Sequence, residues 1–265
     1  VLIYKATEIV NFAQGELMMV GGFFAFTFIS LLGFNYWLGF IAAVAAMALF
    51  GMLAERLVVR PILGYPQFSI IMATIGLGFF LRSVAGMIWG TDDLKIETPF
   101  SQGVLRLGSL VLAYDKLSVI AATVILCGVL YLFFNKTTLG TAMRASSENM
   151  LAAYYMGIPV KRLNGLVWGL AAAVAAVAGL LLAPITFVHA NMGFIGLKAF
   201  PAAVVGGFGS LPGAIVGGLI IGIVESFSGF YLPDGFKDTA AYIVVLVMLM
   251  VKPNGLFGEK LRKKV

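Results

Sequence analysis

Apolar residues in this chain fall in long continuous blocks separated by short polar segments. Leu17 to Leu32 is the first complete block, slightly short, and it can be extended back to Asn11. Leu38 to about Leu53, Phe68 to Trp89, Leu117 to Phe134 and Gly165 to Val188 follow. A bilayer core takes about 20 apolar residues in a helix, so each block reads as a membrane span. The last block, Thr239 to Val251, is read the same way. Pro184 is expected to break the Gly165–Val188 span near its end. The blocks do not alternate, which excludes a transmembrane β-barrel. Tyr36 and Trp37 suit a membrane interface. Gly90 to Lys116 is long and polar, with room for a short hairpin or an interfacial turn. Val1–Tyr4 reads as the tail of a longer apolar segment, so a further span is expected upstream.

Two stretches depart from this pattern. Ala199 to Phe227, AFPAAVVGGFGSLPGAIVGGLIIGIVESF, is long enough for one tilted helix but has Gly206, Gly207, Gly209 and Pro212 at its centre. Two half-length helices meeting at Gly209–Pro212 are expected, because a broken helix is tolerated at depth only beside protein or a water-filled cavity. The spacings Gly213-xxx-Gly217 and Gly218-xxx-Gly222 are those of close helix packing. The second stretch is Arg144 to Leu163, RASSENMLAAYYMGIPVKRL. Ser146 or Ser147 is expected to cap a helix beginning near Glu148. Met150, Leu151, Tyr154 and Tyr155 share one side of it. Gly157 suits a left-handed C-terminal cap, and Pro159 stops the helix. At about two and a half turns it is too short to cross a bilayer. Two readings stay open: a helix gripped by another protein, or one resting on headgroups.

Composition fixes the class. The 265 residues are 61% hydrophobic and only 11% charged, against roughly 25% charged in soluble domains. The chain is therefore an all-α, polytopic membrane bundle. The net charge of +6 does not point to nucleic acid, because it sits in loops. Loops 55–66, 135–164 and 252–265 carry +1, +3 and +4, and loops 90–116 and 225–238 carry −1 and −2. The positive-inside rule puts the basic loops and the C-terminus in the cytoplasm, provided that Ala199–Phe227 goes in and comes back out.

Candidate chemistry is sparse. There is no nucleotide-binding loop, no triad, no carboxylate pair and no Cys/His set for a metal; Cys127 and His189 are each the only one of their kind. An enzyme is not expected. Polar residues within spans carry a functional expectation because they are unfavourable there. Asn11, Gln14 and Glu16 cluster around Gly15; two readings of Glu16 stay open, a residue of the substrate pathway and one at the headgroup level. Arg82 is read as snorkelling outward or pairing with an outer-loop carboxylate. Glu225 is read as solvated.

Four segments carry a resemblance. Asn11–Leu17 (NFAQGEL) and Phe200–Gly222 (FPAAVVGGFGSLPGAIVGGLIIG) resemble the two signatures of the branched-chain amino acid permeases of bacterial ABC importers, the LivH/LivM group, closer to LivH. Arg144–Leu163 is similar to their cytoplasmic loop, and Lys252–Gly258 (KPNGLFG) to their C-terminal close. The resemblance implies a single transmembrane permease domain over residues 1–265, in a bacterial inner membrane, with a cytoplasmic coupling loop at 144–163. It implies a homologous LivM-like permease partner, two cytoplasmic ATPase subunits that hold the ATP and Mg, and a periplasmic substrate-binding protein. This chain binds no cofactor in that picture. Arg144, Glu148, Met150, Leu151, Tyr154, Tyr155, Gly157 and Arg162 are the residues expected to meet an ATPase. Asn11, Gln14, Thr74, Gly206, Gly207 and Gly209 are those expected along the pathway. Gln14 stands where many members carry His. Urea and short-chain amide permeases share the signatures, so those substrates stay open beside leucine, isoleucine and valine. An ion-coupled secondary transporter and a structural membrane protein are the readings from other classes.

Overall fold

The computed structural model describes residues 1–7, 10–100, 103–107, 110–233 and 235–258. It is helical almost throughout. In chain order the helices are α1 (Leu2–Thr7), α2 (Gln14–Phe26), α3 (Tyr36–Ala54), α4 (Gln67–Trp89), α5 (Tyr114–Lys136), α6 (Thr138–Glu148), α7 (Met150–Tyr155), α8 (Val160–Thr186), α9 (Gly193–Leu197), α10 (Ala199–Gly206), α11 (Leu211–Tyr231) and α12 (Phe236–Val251). Among the described residues six segments are long and apolar enough to cross a membrane: Gln14–Leu31, Tyr36–Ile62, Gln67–Trp89, Tyr114–Lys136, Val160–Thr186 and Leu211–Tyr231. The helix α12 follows the last of these and is shorter. The polytopic helical bundle expected from the apolar blocks is therefore the fold.

Helices α2 and α8 form the centre. Ten of the thirteen residues of α2 are buried, the signature of a helix that is apolar all round and enclosed by others. Small residues make the close packing possible. A methyl group at Gly21 would stand 2.5 Å from the Cα of Ala176, and one at Gly51 2.6 Å from the carbonyl oxygen of Trp168. Trp168 is fully buried. Helix α5 is the opposite case: Phe134 is its one buried residue among those described.

Three contacts fix α2 against α4 in parallel register. The Phe12 N–H donates to Thr74 Oγ1 at 3.3 Å, Arg82 pairs with Glu16, and Trp89 Nε1 donates to Thr27 Oγ1 at 2.8 Å, at sequence separations of 62, 66 and 62. Thr74 is seven residues into α4, or roughly 10 Å at 1.5 Å per residue. The start of α2 therefore lies inside the layer that α4 crosses, not at its edge. Helix α2 ends in a π-helical turn, Thr27–Leu31, and α3 continues into another, Glu55–Val59. Beyond that turn Arg60 grips the buried carboxylate of Glu55 at 3.1 and 2.6 Å and also donates to the Lys161 carbonyl at 3.1 Å. This ties the end of α3 to the start of α8.

Of the two forms expected for the long polar segment it holds the hairpin, with Val104–Leu107 (β1) antiparallel to Leu110–Ala113 (β2) and Val104 opposite Ala113. Other expectations need correction. Pro184 does not break its helix, which runs on to Thr186. Only the last residues of α8 follow it, so little hydrogen bonding is lost. The chain turns instead at Phe187, at φ 59°, and Val188 pairs with Leu94. The glycine-rich stretch is not two equal halves: α10 has 8 residues and α11 has 21. The two helices run antiparallel, since Gly206 abuts Gly213 and Ala202 abuts Gly217. That reversal is the one the loop charges call for.

Candidate functional site

A cavity of about 610 Å³ opens between α1, the start of α2, α5, α8 and the α10–α11 break. Its wall is mostly apolar and includes Leu130, Phe134, Val174, Phe200 and Ile215, together with Cys127. Polar side chains enter it from Asn11, Gln14, Asn135, Arg144 and Ser210. Two of these side-chain amides are joined: Asn11 Nδ2 donates to Gln14 Oε1 at 3.3 Å. Asn11 Oδ1 accepts from the Ala13 N–H at 3.0 Å, and Gln14 Nε2 donates to the Ala171 carbonyl at 3.3 Å. The sequence NFAQGEL thus folds its two amides over the start of α2, where no side chain caps the helix.

The expected pathway residues divide. Asn11, Gln14 and Gly209 line the cavity. Thr74 does not; it is fully buried and serves as a bracket, accepting from Phe12 N–H and donating to the Ile71 carbonyl at 2.8 Å. Gly206 and Gly207 face away from it as well. They carry the C-terminal close: Leu256 N–H donates to the Val205 carbonyl at 2.9 Å and Phe257 N–H to that of Gly206 at 3.0 Å. Gly207, at φ 101°, and Gly255, at φ 76°, adopt backbone that favours glycine, and a methyl on Gly255 would stand 2.6 Å from the Cα of Gly207. Two of the signature segments therefore form one structural unit.

Behind the cavity lies an ion pair that the sequence reading missed. Glu16 is buried, not at a headgroup surface, and Arg82 Nη2 sits 2.5 Å from its Oε1. Arg82 thus turns inward to α2 instead of outward, with its guanidinium 3.9 Å from the centre of the Phe194 ring. A signal was available. A carboxylate opening one apolar block and an arginine inside another are each unfavourable alone, and mutual pairing resolves both. Glu225 is likewise largely covered instead of solvated, with Lys198 at 3.9 Å.

The Arg144–Leu163 segment differs from its expected form. Ser146 and Ser147 lie within α6, which starts from the Thr137 cap. The chain breaks at Asn149, whose extended backbone ends α6 and whose Oδ1 caps α7 by accepting from the Ala152 N–H at 2.9 Å. The short helix is Met150–Tyr155 alone, six residues long. Gly157 closes it at φ 83° as expected; its N–H donates to the Tyr154 carbonyl at 3.0 Å, and the Ile158 N–H donates to that of Ala153 at 3.0 Å. Ala153 faces inward, whereas Leu151, Tyr154, Tyr155 and Met156 are 67–82% exposed. Met150, Glu148 and Arg162 are exposed too. Arg144 is not free on a rim. Its Nη2 donates to the Phe134 carbonyl and, at 2.8 Å, to Asn135 Oδ1, tying α6 back to the end of α5. Lys260, Arg262, Lys263 and Lys264 of the tail lie outside the described residues.

A mostly apolar cavity, a broken helix beside it and a short exposed aromatic helix thus occur in one helical bundle. Comparison with known proteins gives the family. The family described as "Branched-chain amino acid transport system / permease component" matches residues 1–252. The high-affinity branched-chain amino acid transport system permease protein LivH of Escherichia coli is 30% identical, covering 100% of this chain and 90% of its own length. The corresponding permease protein BraD of Pseudomonas aeruginosa is 30% identical, covering 100% and 91%. The probable LivH of Methanocaldococcus jannaschii is 31% identical, covering 99% and 87%. No solved structure matches the chain. On the full-length match and the helical bundle that carries it, this chain belongs to the family of permease components of branched-chain amino acid transport systems.

Proposed function

We propose that this chain is a membrane-spanning subunit of an ABC importer that moves leucine, isoleucine and valine by ATP-driven alternating access. The observation that carries the reading is α7. It places Leu151, Tyr154 and Tyr155 in the open on one six-residue helix, with Met156 exposed just after it, and such a patch of large apolar and aromatic groups marks a protein contact. A cytoplasmic ATPase pair, holding ATP and Mg, is the partner that fits. Residues 144–163 act as the coupling segment of a single permease domain spanning residues 1–265. Met150, Leu151, Tyr154 and Tyr155 enter the ATPase cleft, Glu148 and Arg162 flank it, and Gly157 shapes the exit. Arg144 works from behind by holding α6 to α5.

The cavity is the pathway for the substrate, and its apolar wall suits aliphatic side chains. Asn11, Gln14 and Gly209 contact the substrate, while Thr74, Gly206 and Gly207 hold the walls. A homologous permease subunit completes the pathway, a periplasmic binding protein delivers the substrate, and the C-terminus lies in the cytoplasm of a bacterial cell. ATP and the loaded binding protein favour different conformations, and that difference drives the cycle.

The test is uptake of radiolabelled L-leucine into vesicles containing the complete complex, with ATP inside and binding protein outside. Uptake that needs ATP and is lost in the double variant Tyr154→Ala, Tyr155→Ala supports the reading. Uptake driven by an ion gradient without ATP overturns the ABC mechanism. ATP-dependent uptake of urea or an amide, with leucine excluded, replaces the substrate.

A further inference from the structure

One part of the cavity wall is formed where glycines meet. Gly15 and Gly196 both line it, and they touch, so that a methyl on Gly196 would run into the Cα of Gly15. Immediately behind them sit Glu16 and Arg82. A methyl on Gly193 would lie 2.9 Å from Glu16 Oε1 and 3.3 Å from Arg82 Nη2, and one on Gly78 3.3 Å from Glu16 Oε2. The Phe194 ring covers the guanidinium. The pair is thus packed between α2, α4 and α9, with Glu16 buried and the Arg82 side chain 18% exposed. Arg82 Nε is buried with no hydrogen-bond partner, so the guanidinium keeps a donor unused. Arg144, Asn135 and Phe257 also line the cavity, and they belong to the end that carries the coupling segment and the C-terminal close. The register of α2 on α4 places Glu16 and Arg82 farther along the span from that end, behind Gly15 and Gly196.

Resting on the transport reading above, we infer that Glu16 and Arg82 are specificity-determining residues of the pathway: they close the cavity behind that wall and separate for a ligand that brings a carboxylate and an ammonium of its own. Parting α2 from α4 and α9 pulls two opposite charges apart in a poorly solvated site. That state is unfavourable unless both charges find new partners. A zwitterionic α-amino acid supplies both. Its carboxylate meets the guanidinium in the planar geometry that suits the pair, and its ammonium meets Glu16. Its aliphatic side chain then faces the apolar wall. Urea or a neutral amide leaves both charges unpaired and is rejected by the same device that admits the amino acid.

The only cysteine, Cys127, lines the cavity and serves as the probe. The complete complex in proteoliposomes is treated with a membrane-impermeant thiol reagent applied to one side at a time, without ATP. Labelling of this chain is read by peptide mass. L-Leucine is compared with leucinamide, which lacks the carboxylate, and 4-methylpentanoate, which lacks the ammonium. Wild-type labelling is expected only from the side of Arg144, with protection by leucine at a concentration about tenfold below that needed for either single-charge analogue. In the double variant Glu16→Gln, Arg82→Met, Cys127 is expected to react from both sides, and the three compounds to protect alike. An assembled double variant that stays sealed and still prefers leucine overturns the inference. If that variant does not assemble, Arg82→Lys decides. It keeps the charge but loses the planar pairing with a carboxylate, so the preference for leucine over leucinamide is expected to fall, and an unchanged preference overturns the inference. Because labelling needs no ATP, failed uptake by the wild type counts against the importer reading alone.

Discussion

Arg144 Nη2 donates to Asn135 Oδ1 at 2.8 Å, and the same nitrogen donates to the Phe134 carbonyl. The helix that leads into the exposed segment is thereby hooked to the end of α5, the cavity wall least supported by the rest of the chain. Charge-assisted hydrogen bonds contribute about 1.5–3 kcal/mol when buried, and this site is only partly buried. Arg144→Ala is therefore expected to lower stability by about 1–2 kcal/mol. Adding Asn135→Ala should then do less than it does alone, because the two changes remove a shared contact. Thermal denaturation of the detergent-solubilised complex checks both points; strictly additive losses would mean that the two side chains act independently.

Tyr154 and Tyr155 pack edge to face, 6.1 Å apart, and both are mostly exposed. Replacing both with alanine should leave the chain's own stability within about 0.5 kcal/mol. The same change should sharply reduce copurification of ATPase subunits. A co-expression pull-down read beside a melting curve separates these effects. A large drop in melting temperature, with the ATPase retained, would make the two rings structural.

Asn149 ends one helix and begins the next, so its removal affects both. Asn149→Ala deletes the cap on Ala152 N–H, a loss of about 1 kcal/mol in a typical helix. The expected result is faster hydrogen exchange across Met150–Tyr155, with α8 unchanged. Asn149→Asp or Asn149→Ser should restore the protection, since each supplies an accepting oxygen.

Glycine substitutions should split by neighbourhood. A methyl on Gly15 would strike the Gly193 carbonyl, while one on Gly76 meets nothing within 4 Å. Gly15→Ala is expected to destabilise by about 1–3 kcal/mol or to force α9 away from α2. Gly76→Ala, within the exposed face of α4, should be neutral or stabilising by up to about 1 kcal/mol. Detergent-solubilised melting temperatures test the contrast, and equal effects at the two positions would refute the packing described for α2 and α9.

The spans were legible because a run of apolar residues has few other fates. The left-handed turn at Gly157 could also be read directly, since the requirement is local to one residue. What the sequence left hidden depends on partners far along the chain. Glu16 and Arg82 are 66 residues apart, and each could be read as a surface group until the depth of α2 was known. That depth is set by Phe12 on Thr74 and Trp89 on Thr27, contacts that no periodicity records. Ser146 and Ser147 are plausible caps by residue type, but α6 was already under way from Thr137, so neither had a free helix start to cap. Gly206 and Gly207 looked like the lining of a pathway because their neighbours at the C-terminus, Leu256 and Phe257, lie some fifty residues on.

The glycine and alanine contacts around α2 have a mechanical consequence. Interlocked side chains resist every relative movement of two helices, because ridges must climb out of grooves before anything shifts. Gly21 against Ala176, Gly179 against Met18 and Gly15 against Gly193 bring backbone onto backbone with almost no side chain between. Such a contact sets the distance between two helix axes by backbone alone, while the large buried side chains beside it, Leu17, Phe23, Trp168 and Leu180, hold the register. The centre of this protein is thus kept at a spacing that no larger residue at those positions can reproduce.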